Sequence, residues 1–303
     1  MNEGEVSLHL TETQEDELST LLYDQKESFS TDKEPWRGII CHEADIILNI
    51  ERPHPPLLRR PAYPESPKSR EALELYIKEL LKFCVVRKVC LNEEVEVTKP
   101  VIVAWNNRKS SMVGDFRSLN TYTVPDRYPI PKIKIAVTHI SQAVYISNID
   151  SLKGSHHNVV SPRARNHFRI LVHCGVYEYL RMPFGIKNSP SHFQRMIHEI
   201  FPEELSEEWF VVYIDDTIVR YMTWEEHTCR LSRLLGKIQS VKMKIYLKKC
   251  HFGFLKLKLV GHVVSCLPNG IDKNKVAEVL LILSPIVKYL FSLLCKSMPY
   301  MIK

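Results

Sequence analysis

Apolar residues recur every three to four positions in three stretches of the chain, the spacing of an amphipathic helix. The first stretch follows Ser66-Pro67 and the second follows Ser189-Pro190, and serine next to proline is typical of a helix start. The third runs from Trp224 to Ser240, and a polar segment from Thr11 to Tyr23 is a further helix candidate. The apolar stripes that predict burial are Leu73, Tyr76, Ile77, Leu80, Leu81 and Cys84, then Phe193, Met196, Ile197, Ile200 and Phe201, then Leu231, Leu234, Leu235 and Ile238.

The stretch from Trp209 to Met222 has a different pattern, because two β-favouring runs flank a pair of acidic residues. It predicts a β-hairpin with Asp215 and Asp216 at its tip. Neighbouring carboxylates repel each other at the end of an apolar strand unless a cation lies between them. The pair therefore indicates either a solvated turn or a site for a hard divalent cation such as Mg²⁺.

Bulk composition narrows the class of protein. The chain has 303 residues, of which 45% are hydrophobic and 25% are charged, as in a globular protein with one large or a few small domains. Its net charge of +6 suits a partner made of phosphate. The eight scattered cysteines form no C-x-x-C pair, which argues against a zinc site and predicts reduced, mostly buried thiols in an intracellular protein.

The two ends of the chain show no membrane or secretory segment. The N-terminus is acidic and polar, unlike a signal peptide. Residues 281–303 are apolar, but they are interrupted by Pro285 and Pro299 and are too short for a membrane-spanning helix. We therefore expect no membrane partner.

Four motifs follow one another along the chain. They are Pro125–Pro131 (PDRYPIP), Asn148–Asp150 (NID), Met182–Pro190 (MPFGIKNSP) and Tyr213–Asp216 (YIDD). In this order they resemble the reverse transcriptase of gypsy-type LTR retrotransposons, particularly fungal ones, over about residues 8–275. The resemblance implies a truncated part of a Pol polyprotein.

The resemblance also implies an α+β fold: a right-hand polymerase palm, with a split βαβ antiparallel sheet backed by helices, plus fingers and a partial thumb. The expected division is a polar, proline-rich lead-in at 1–65, fingers at 66–121, palm at 122–157, fingers return at 158–181, palm with the YIDD hairpin at 182–257, and a primer-grip hairpin with a divergent tail at 258–303. A shifted reading frame or a divergent exon would explain the tail after residue 280.

Asp150, Asp215 and Asp216 are the catalytic residues that the resemblance implies. With the backbone carbonyl of Ser151 they would hold two Mg²⁺ ions, for which Mn²⁺ is an alternative. The implied reaction is RNA-directed DNA synthesis, in which a primer 3′-hydroxyl attacks the α-phosphate of a deoxynucleoside triphosphate.

Five positions are implied to bind the incoming nucleotide, and one of them departs from the family. The five are Lys109, Ser155, Phe184, Gly185 and Lys248, with Lys249 as an alternative to Lys248. Ser155 stands where the family has an aromatic residue that excludes the ribose 2′-hydroxyl, so deoxy selection should weaken. A second departure is Ser111, which replaces an arginine that grips the triphosphate.

Template and primer contacts are implied at Arg117, Gln194, Gly261 and His262. The cationic stretch 162–173 resembles a basic face that positions the template by charge. Expected partners are an RNA or DNA template with its primer, deoxynucleoside triphosphates, and other Pol domains (protease, RNase H, integrase). The expected location is intracellular, in cytoplasmic virus-like particles or the nucleus.

A second interpretation is a decayed copy that binds nucleic acid without polymerising. Ser111, Ser155 and the divergent tail favour it, whereas the intact aspartates favour activity.

Overall fold

The computed structural model describes residues 5–6, 10–31, 42–50, 54–106, 109–130, 143–151, 154–207, 209–213, 216–259, 262–265 and 270–271. Its helices are α1 (Glu12–Asp24), α2 (Pro67–Lys82), α3 (Arg117–Tyr122), α4 (Ser189–Ile200), α5 (Pro202–Ser206) and α6 (Trp224–Ser240). Its strands are β1 (Glu5–Val6), β2 (Glu43–Ala44), β3 (Val86–Lys88), β4 (Lys99–Asn106), β5 (Lys109–Gly114), β6 (Tyr145–Asp150), β7 (Val159–Val160), β8 (Arg169–Val172), β9 (Gly175–Tyr179), β10 (Phe210–Tyr213), β11 (Asp216–Tyr221), β12 (His251–Phe254), β13 (Lys256–Leu259), β14 (His262–Ser265) and β15 (Gly270–Ile271).

One five-stranded sheet, which we call the palm sheet, has the strand order β1-β12-β6-β11-β10. Strand β6 lies in its centre and pairs antiparallel with both β11 and β12. Helices α1, α4 and α6 contribute to the core of this sheet, with Leu18, Phe193 and Leu235 as fully buried examples. The palm sheet therefore rests on a helical layer, as the predicted α+β fold requires.

A second five-stranded sheet, which we call the fingers sheet, has the order β3-β9-β8-β4-β5. Helix α2 packs on it through the buried residues Leu73, Ile77 and Leu80. Strands β2 and β7 form a short parallel pair, and β13, β14 and β15 form a small antiparallel sheet. Mixed sheets with helices on them confirm the predicted α+β class.

The four predicted helices are all present. Ser66 caps α2 by accepting the N–H of Ser69, as its position in the sequence predicts. In α4 the N-cap is Asn188 rather than Ser189, which is already helical. The stripe on α2 is shorter than predicted, because Leu81 is exposed and Cys84 lies past the helix end at a positive φ.

The described part of the lead-in, predicted over residues 1–65, packs against the rest of the chain. Helix α1 packs in the palm core, where Leu18 is buried and Trp224 Nε1 donates a hydrogen bond to Glu17. Leu58 lies in the fingers core, and its carbonyl accepts hydrogen bonds from the Thr98 amide and the Lys99 ammonium. The lead-in therefore contributes to both cores.

The cysteines also differ from the prediction. Among the described residues Cys84, Cys90, Cys174 and Cys229 are free and exposed, and only Cys250 is buried. The sequence pattern correctly indicated unpaired thiols there, but it was wrong about their burial. Within the described ranges, no helix is long and apolar enough to cross a membrane.

Gly253 and Gly236 give opposite predictions for a change to alanine. Gly253 has a φ of +68°, and a Cβ there would lie 3.1 Å from Leu10 and 3.2 Å from Trp224. We expect Gly253→Ala to lower the free energy of unfolding by about 1–3 kcal/mol, because backbone strain and overpacking add. Gly236 lies in α6, and a Cβ there meets nothing closer than 4.0 Å.

Gly236→Ala is therefore the matched control and should raise stability by about 0.4–1 kcal/mol. Urea denaturation of the three proteins measures both effects. Equal stabilities for the two variants would show that the packing around Gly253 is misassigned.

Candidate active site

Two acidic positions meet at the centre of the palm sheet. In the antiparallel pair β6–β11, Asp150 lies directly opposite Asp216, and this register continues to Tyr145 opposite Tyr221. Directly opposed residues in such a pair have Cα atoms about 5 Å apart. Positions 150 and 216 therefore lie side by side across the two strands and form one locus, although they are 66 positions apart in the chain.

The predicted hairpin is confirmed by the pairing of β10 with β11. Tyr213 lies opposite Asp216, and these two residues end the paired part of the hairpin. Asp215 itself lies outside the described residues. The register thus places the YIDD motif at the edge where β6 ends.

The surroundings of Asp150 contain a cation and several backbone contacts. Lys249 Nζ lies 3.6 Å from Asp150 Oδ2, and the Tyr246 amide donates to the Asp150 carbonyl at 3.1 Å. Ser151 is buried, and its backbone forms an isolated antiparallel bridge with that of Ile245. Lys248, the predicted nucleotide contact, and the alternative, Lys249, are both exposed, and Lys249 is the one with an ion pair to Asp150.

The donor set at this locus fits a hard cation better than a soft one. Carboxylate oxygens from β6 and β11 are the ligand type that Mg²⁺ and Mn²⁺ prefer. The neighbouring thiol is not a competing ligand, because burial raises the pKa of Cys250 to about 12 and keeps it protonated.

Two predicted nucleotide-binding residues, Phe184 and Ser155, are connected through His156. Phe184 is 43% exposed, and its ring lies 4.6 Å from the ring of buried His156. Ser155 precedes that histidine in a 3-10 turn, and its Oγ accepts a hydrogen bond from Ser189 Oγ at 2.9 Å. An exposed aromatic face and a small polar side chain are therefore adjacent. The side chain of Lys109 lies outside what the structure describes.

The turn that presents Phe184 is held by two asparagines that sequence reasoning missed as functional residues. Gly185 has a φ of +85°, and its carbonyl accepts from Asn120 Nδ2 at 2.7 Å. Asn120 Oδ1 in turn accepts the Lys187 amide at 2.9 Å. Asn188 makes two similar hydrogen bonds to the segment after α3. Its Nδ2 donates to the Val124 carbonyl at 2.8 Å, and its Oδ1 accepts the Asp126 amide at 3.1 Å.

We call these four hydrogen bonds the asparagine clasp. They join α3 and the segment after it to the turn before α4, so the positions of Phe184 and Gly185 are fixed by side chains from elsewhere in the chain. The only available signal was the presence of Asn188 in the Met182–Pro190 motif.

The predicted template and primer residues differ in their accessibility. The side chain of Arg117 is 78% exposed, which suits a contact with a strand. Gln194 is fully buried, and its Nε2 lies 2.9 Å from His198 Nε2, so in this conformation it presents no surface to a template. His262 begins β14, opposite Leu259 of β13, which supports the predicted primer-grip hairpin, and Gly261 lies outside the described residues.

The cationic stretch 162–173 is not the predicted basic face. Residues 165–168 form a 3-10 turn rather than strand, and Arg169 is buried with its Nε 2.8 Å from Glu178 Oε2. Arg163 pairs with Asp45, and the two ring nitrogens of His173 lie near Glu65 and Glu74. Most of this charge is therefore compensated within the protein.

Solved structures with the same arrangement are reverse transcriptases. The foamy viral protease-reverse transcriptase in complex with dsDNA matches 88% of this chain and 54% of its own, with a TM-score of 0.76 at 17% identity. The same enzyme in complex with an RNA/DNA hybrid matches with a TM-score of 0.72 at 16% identity, over 88% of this chain and 35% of its own. These likenesses show the right-hand polymerase fold.

Related sequences are parts of transposon polyproteins. The chain is 31% identical to the retrovirus-related Pol polyprotein from transposon opus of Drosophila melanogaster, over 78% of this chain and 23% of the relative. It is 29% identical to the transposon Tf2-3 polyprotein of Schizosaccharomyces pombe (strain 972 / ATCC 24843), over 67% of this chain and 15% of that relative. The chain thus spans about a quarter or less of the curated relatives it matches.

A family match covers more than half of the chain and includes the carboxylate locus. Residues 106–272 match the family described as reverse transcriptase (RNA-dependent DNA polymerase). This range contains β6, the β10–β11 hairpin and the asparagine clasp. The chain therefore belongs to the reverse transcriptase family.

Proposed function

We propose that this chain is the RNA-directed DNA polymerase portion of a retrotransposon Pol polyprotein. The observation that carries the proposal is the register that places Asp150 opposite Asp216. It places two aspartate positions side by side, and paired carboxylates can hold the divalent cations that phosphoryl transfer uses. Family membership and the right-hand fold support the same reaction.

Asp150 and Asp216, with Asp215 and the Ser151 carbonyl, would hold the divalent cations. Magnesium bound there would lower the pKa of the primer 3′-hydroxyl and neutralise charge on the pyrophosphate leaving group. Lys249 adds a positively charged side chain to this locus, since its ammonium lies 3.6 Å from Asp150 Oδ2. Lys249 would neutralise phosphate or donate the proton that the leaving pyrophosphate takes up.

The Phe184 turn and Ser155 would form the wall of the nucleotide pocket. Phe184 offers an exposed ring backed by His156, and the asparagine clasp fixes its position before any nucleotide arrives. A rigid aromatic surface lowers the entropy that binding must overcome. The proposed substrates are deoxynucleoside triphosphates, with a primed RNA or DNA strand as template.

Primer extension tests this proposal. The full chain should extend oligo(dT) on poly(rA) with dTTP and Mg²⁺, and Asp150→Asn should reduce the rate about a hundredfold or more, because it removes a cation ligand. Asp16→Asn on α1 is the matched control, since Asp16 is exposed in the palm helix layer far along the chain from the site.

The competing function is nucleic-acid binding without synthesis, which Ser111 and Ser155 favour. A folded wild type that binds the hybrid but does not extend the primer would establish that function instead. Equal extension by wild type and Asp150→Asn would contradict the assignment of the carboxylates.

Ser155 generates a second prediction, on sugar selectivity. A small side chain there leaves room for a ribose 2′-hydroxyl, so wild type should incorporate UTP as well as dTTP. Ser155→Phe should lower the ratio of UTP to dTTP incorporation about tenfold, by filling that space. Ser155→Ala, which removes only the hydroxyl that accepts from Ser189, is the control.

Steady-state incorporation of the two nucleotides on one template gives the ratio. An unchanged ratio in Ser155→Phe, with dTTP incorporation retained, would show that Ser155 does not face the sugar.

A further inference from the structure

Two buried histidines meet where the lead-in contacts helix α4. His42 comes directly before strand β2, and His192 lies in the first turn of α4. The two residues are 8% and 6% exposed, and their ring centroids are 6.4 Å apart. We call them the histidine pair. They are 150 positions apart in the chain, so no local pattern in the sequence indicates that they meet.

The hydrogen-bond partners of the pair determine which nitrogen of each ring carries the proton. His42 Nδ1 lies 2.7 Å from Glu199 Oε2, and His192 makes a hydrogen bond to the backbone of Asp45. A carboxylate and a backbone carbonyl accept protons, so a neutral ring uses its one N–H for that bond. His42 Nε2 and His192 Nδ1 are therefore left with a lone pair each.

These two nitrogens are buried acceptors. Within the residues that the structure describes, neither His42 Nε2 nor His192 Nδ1 has a hydrogen-bond partner. Burial lowers the pKa of His192, so its ring is neutral at neutral pH. Two lone pairs cannot bond to each other, and a buried polar atom without a partner destabilises the fold. An electron-pair acceptor bound to both rings removes this cost.

The arrangement of the pair is that of metal-ligating histidines. Such histidines donate the N–H of the second ring nitrogen to a carboxylate or a backbone carbonyl, as His42 and His192 do. A metal ion about 2.0–2.1 Å from one nitrogen of each ring holds the ring centroids about 5–6.4 Å apart, depending on the angle at the metal. The observed 6.4 Å lies at the upper end of this range. Imidazole suits Zn²⁺, Ni²⁺ or Cu²⁺, whereas Mg²⁺ prefers oxygen.

A further buried polar side chain lies beside the pair. Asn158 directly precedes β7, and β7 pairs in parallel with β2 through Val159 opposite Glu43. Neighbouring strands are about 4.8 Å apart, so the backbone of Asn158 runs next to that of His42. Asn158 is fully buried, and both polar atoms of its amide have no partner among the described residues.

The rest of the coordination shell would come from an amide or from water. In the part of the chain that the structure describes, no group of three or more His, Cys, Asp or Glu side chains could hold a metal ion. The histidine pair would therefore supply two ligands, and the Asn158 amide oxygen or water molecules would supply the others. Two imidazoles with such partners favour a borderline metal ion over a hard one.

We propose that His42 and His192 form a binding site for a divalent transition metal ion of the Zn²⁺ type, which ties the lead-in to α4. This site is separate in its ligands from the carboxylate locus of the palm sheet, and it does not depend on the proposed polymerase function. Only the folded chain brings the two histidines together, so the metal ion should stabilise the fold.

Calorimetric titration with Zn²⁺ tests the proposal. The full chain is titrated without nucleic acid or nucleotide, in excess Mg²⁺ that occupies the carboxylate locus. Wild type should bind one equivalent of Zn²⁺, and His42→Gln and His192→Gln should each weaken binding about tenfold or more, because each removes a ligand. Asp150→Asn should bind Zn²⁺ as wild type does.

His198→Gln is the matched control on the same helix. Both ring nitrogens of His198 already have partners, since Nδ1 lies 2.7 Å from the Tyr128 hydroxyl and Nε2 lies 2.9 Å from Gln194 Nε2. This variant should keep the wild-type Kd for Zn²⁺. An equal loss of binding in His198→Gln would overturn the proposal, because the loss would then follow from disturbing α4 and not from removing a ligand.

X-ray absorption at the zinc edge needs no variant. In wild type it should show two imidazole nitrogens at about 2.0–2.1 Å from the metal. Zn²⁺ should also raise the urea midpoint of wild type and leave that of His192→Gln unchanged. A wild type that binds no Zn²⁺, a spectrum with oxygen ligands alone, or equal Zn²⁺ binding by wild type and both histidine variants would overturn the proposal, whether or not the chain extends primers.

Discussion

The antiparallel register between β6 and β11 is the constraint on which the site depends. A shift by one residue would turn every side chain of β6 to the opposite face of the sheet and separate Asp150 from Asp216. Buried polar contacts oppose such a shift. Ser147 Oγ lies 2.8 Å from His227 Nε2 and accepts the Gly253 amide at 3.1 Å, which ties β6 to α6 and β12. Burial lowers the pKa of His227 to about 4, so this contact is made by a neutral ring.

Contacts between distant segments supply the rest of the site. The asparagine clasp joins α3 to the turn before α4. Hydrogen bonds from Arg60 and Tyr63 to the buried carboxylate of Asp115 join the lead-in to the fingers. Both use side-chain hydrogen bonds to backbone or to a buried carboxylate, which are costly to leave unmade and therefore specify one arrangement. Phe184 and the exposed Arg117 are thus held in place by other parts of the protein.

Local pattern predicted much of the fold. Helical spacing and start signals located α2, α4 and α6, and the two β-favouring runs located the β10–β11 hairpin. Motif order identified the family and the residues of the carboxylate locus. The helices and the hairpin depend on residues that are near one another in sequence, so periodicity and turn chemistry report them.

The errors concern contacts that the local pattern does not show. Arg169 looked like part of a basic face, but Glu178 lies opposite it in the β8–β9 pair and neutralises it. Gln194 looked accessible, but the packing of α4 buries it. The polar composition of the lead-in gave no sign that Leu18 is buried in the palm core and Leu58 in the fingers core. The pattern of residues in one sequence does not show which side chains meet in the folded protein.

The most direct test of the account is whether a divalent cation binds at the Asp150–Asp216 pair. Electron paramagnetic resonance can follow Mn²⁺ binding to the full chain with a dideoxy-terminated primer on its template and the next nucleotide. The account predicts bound Mn²⁺ that Mg²⁺ displaces and that Asp150→Asn largely abolishes. Equal Mn²⁺ binding by wild type and Asp150→Asn would contradict it.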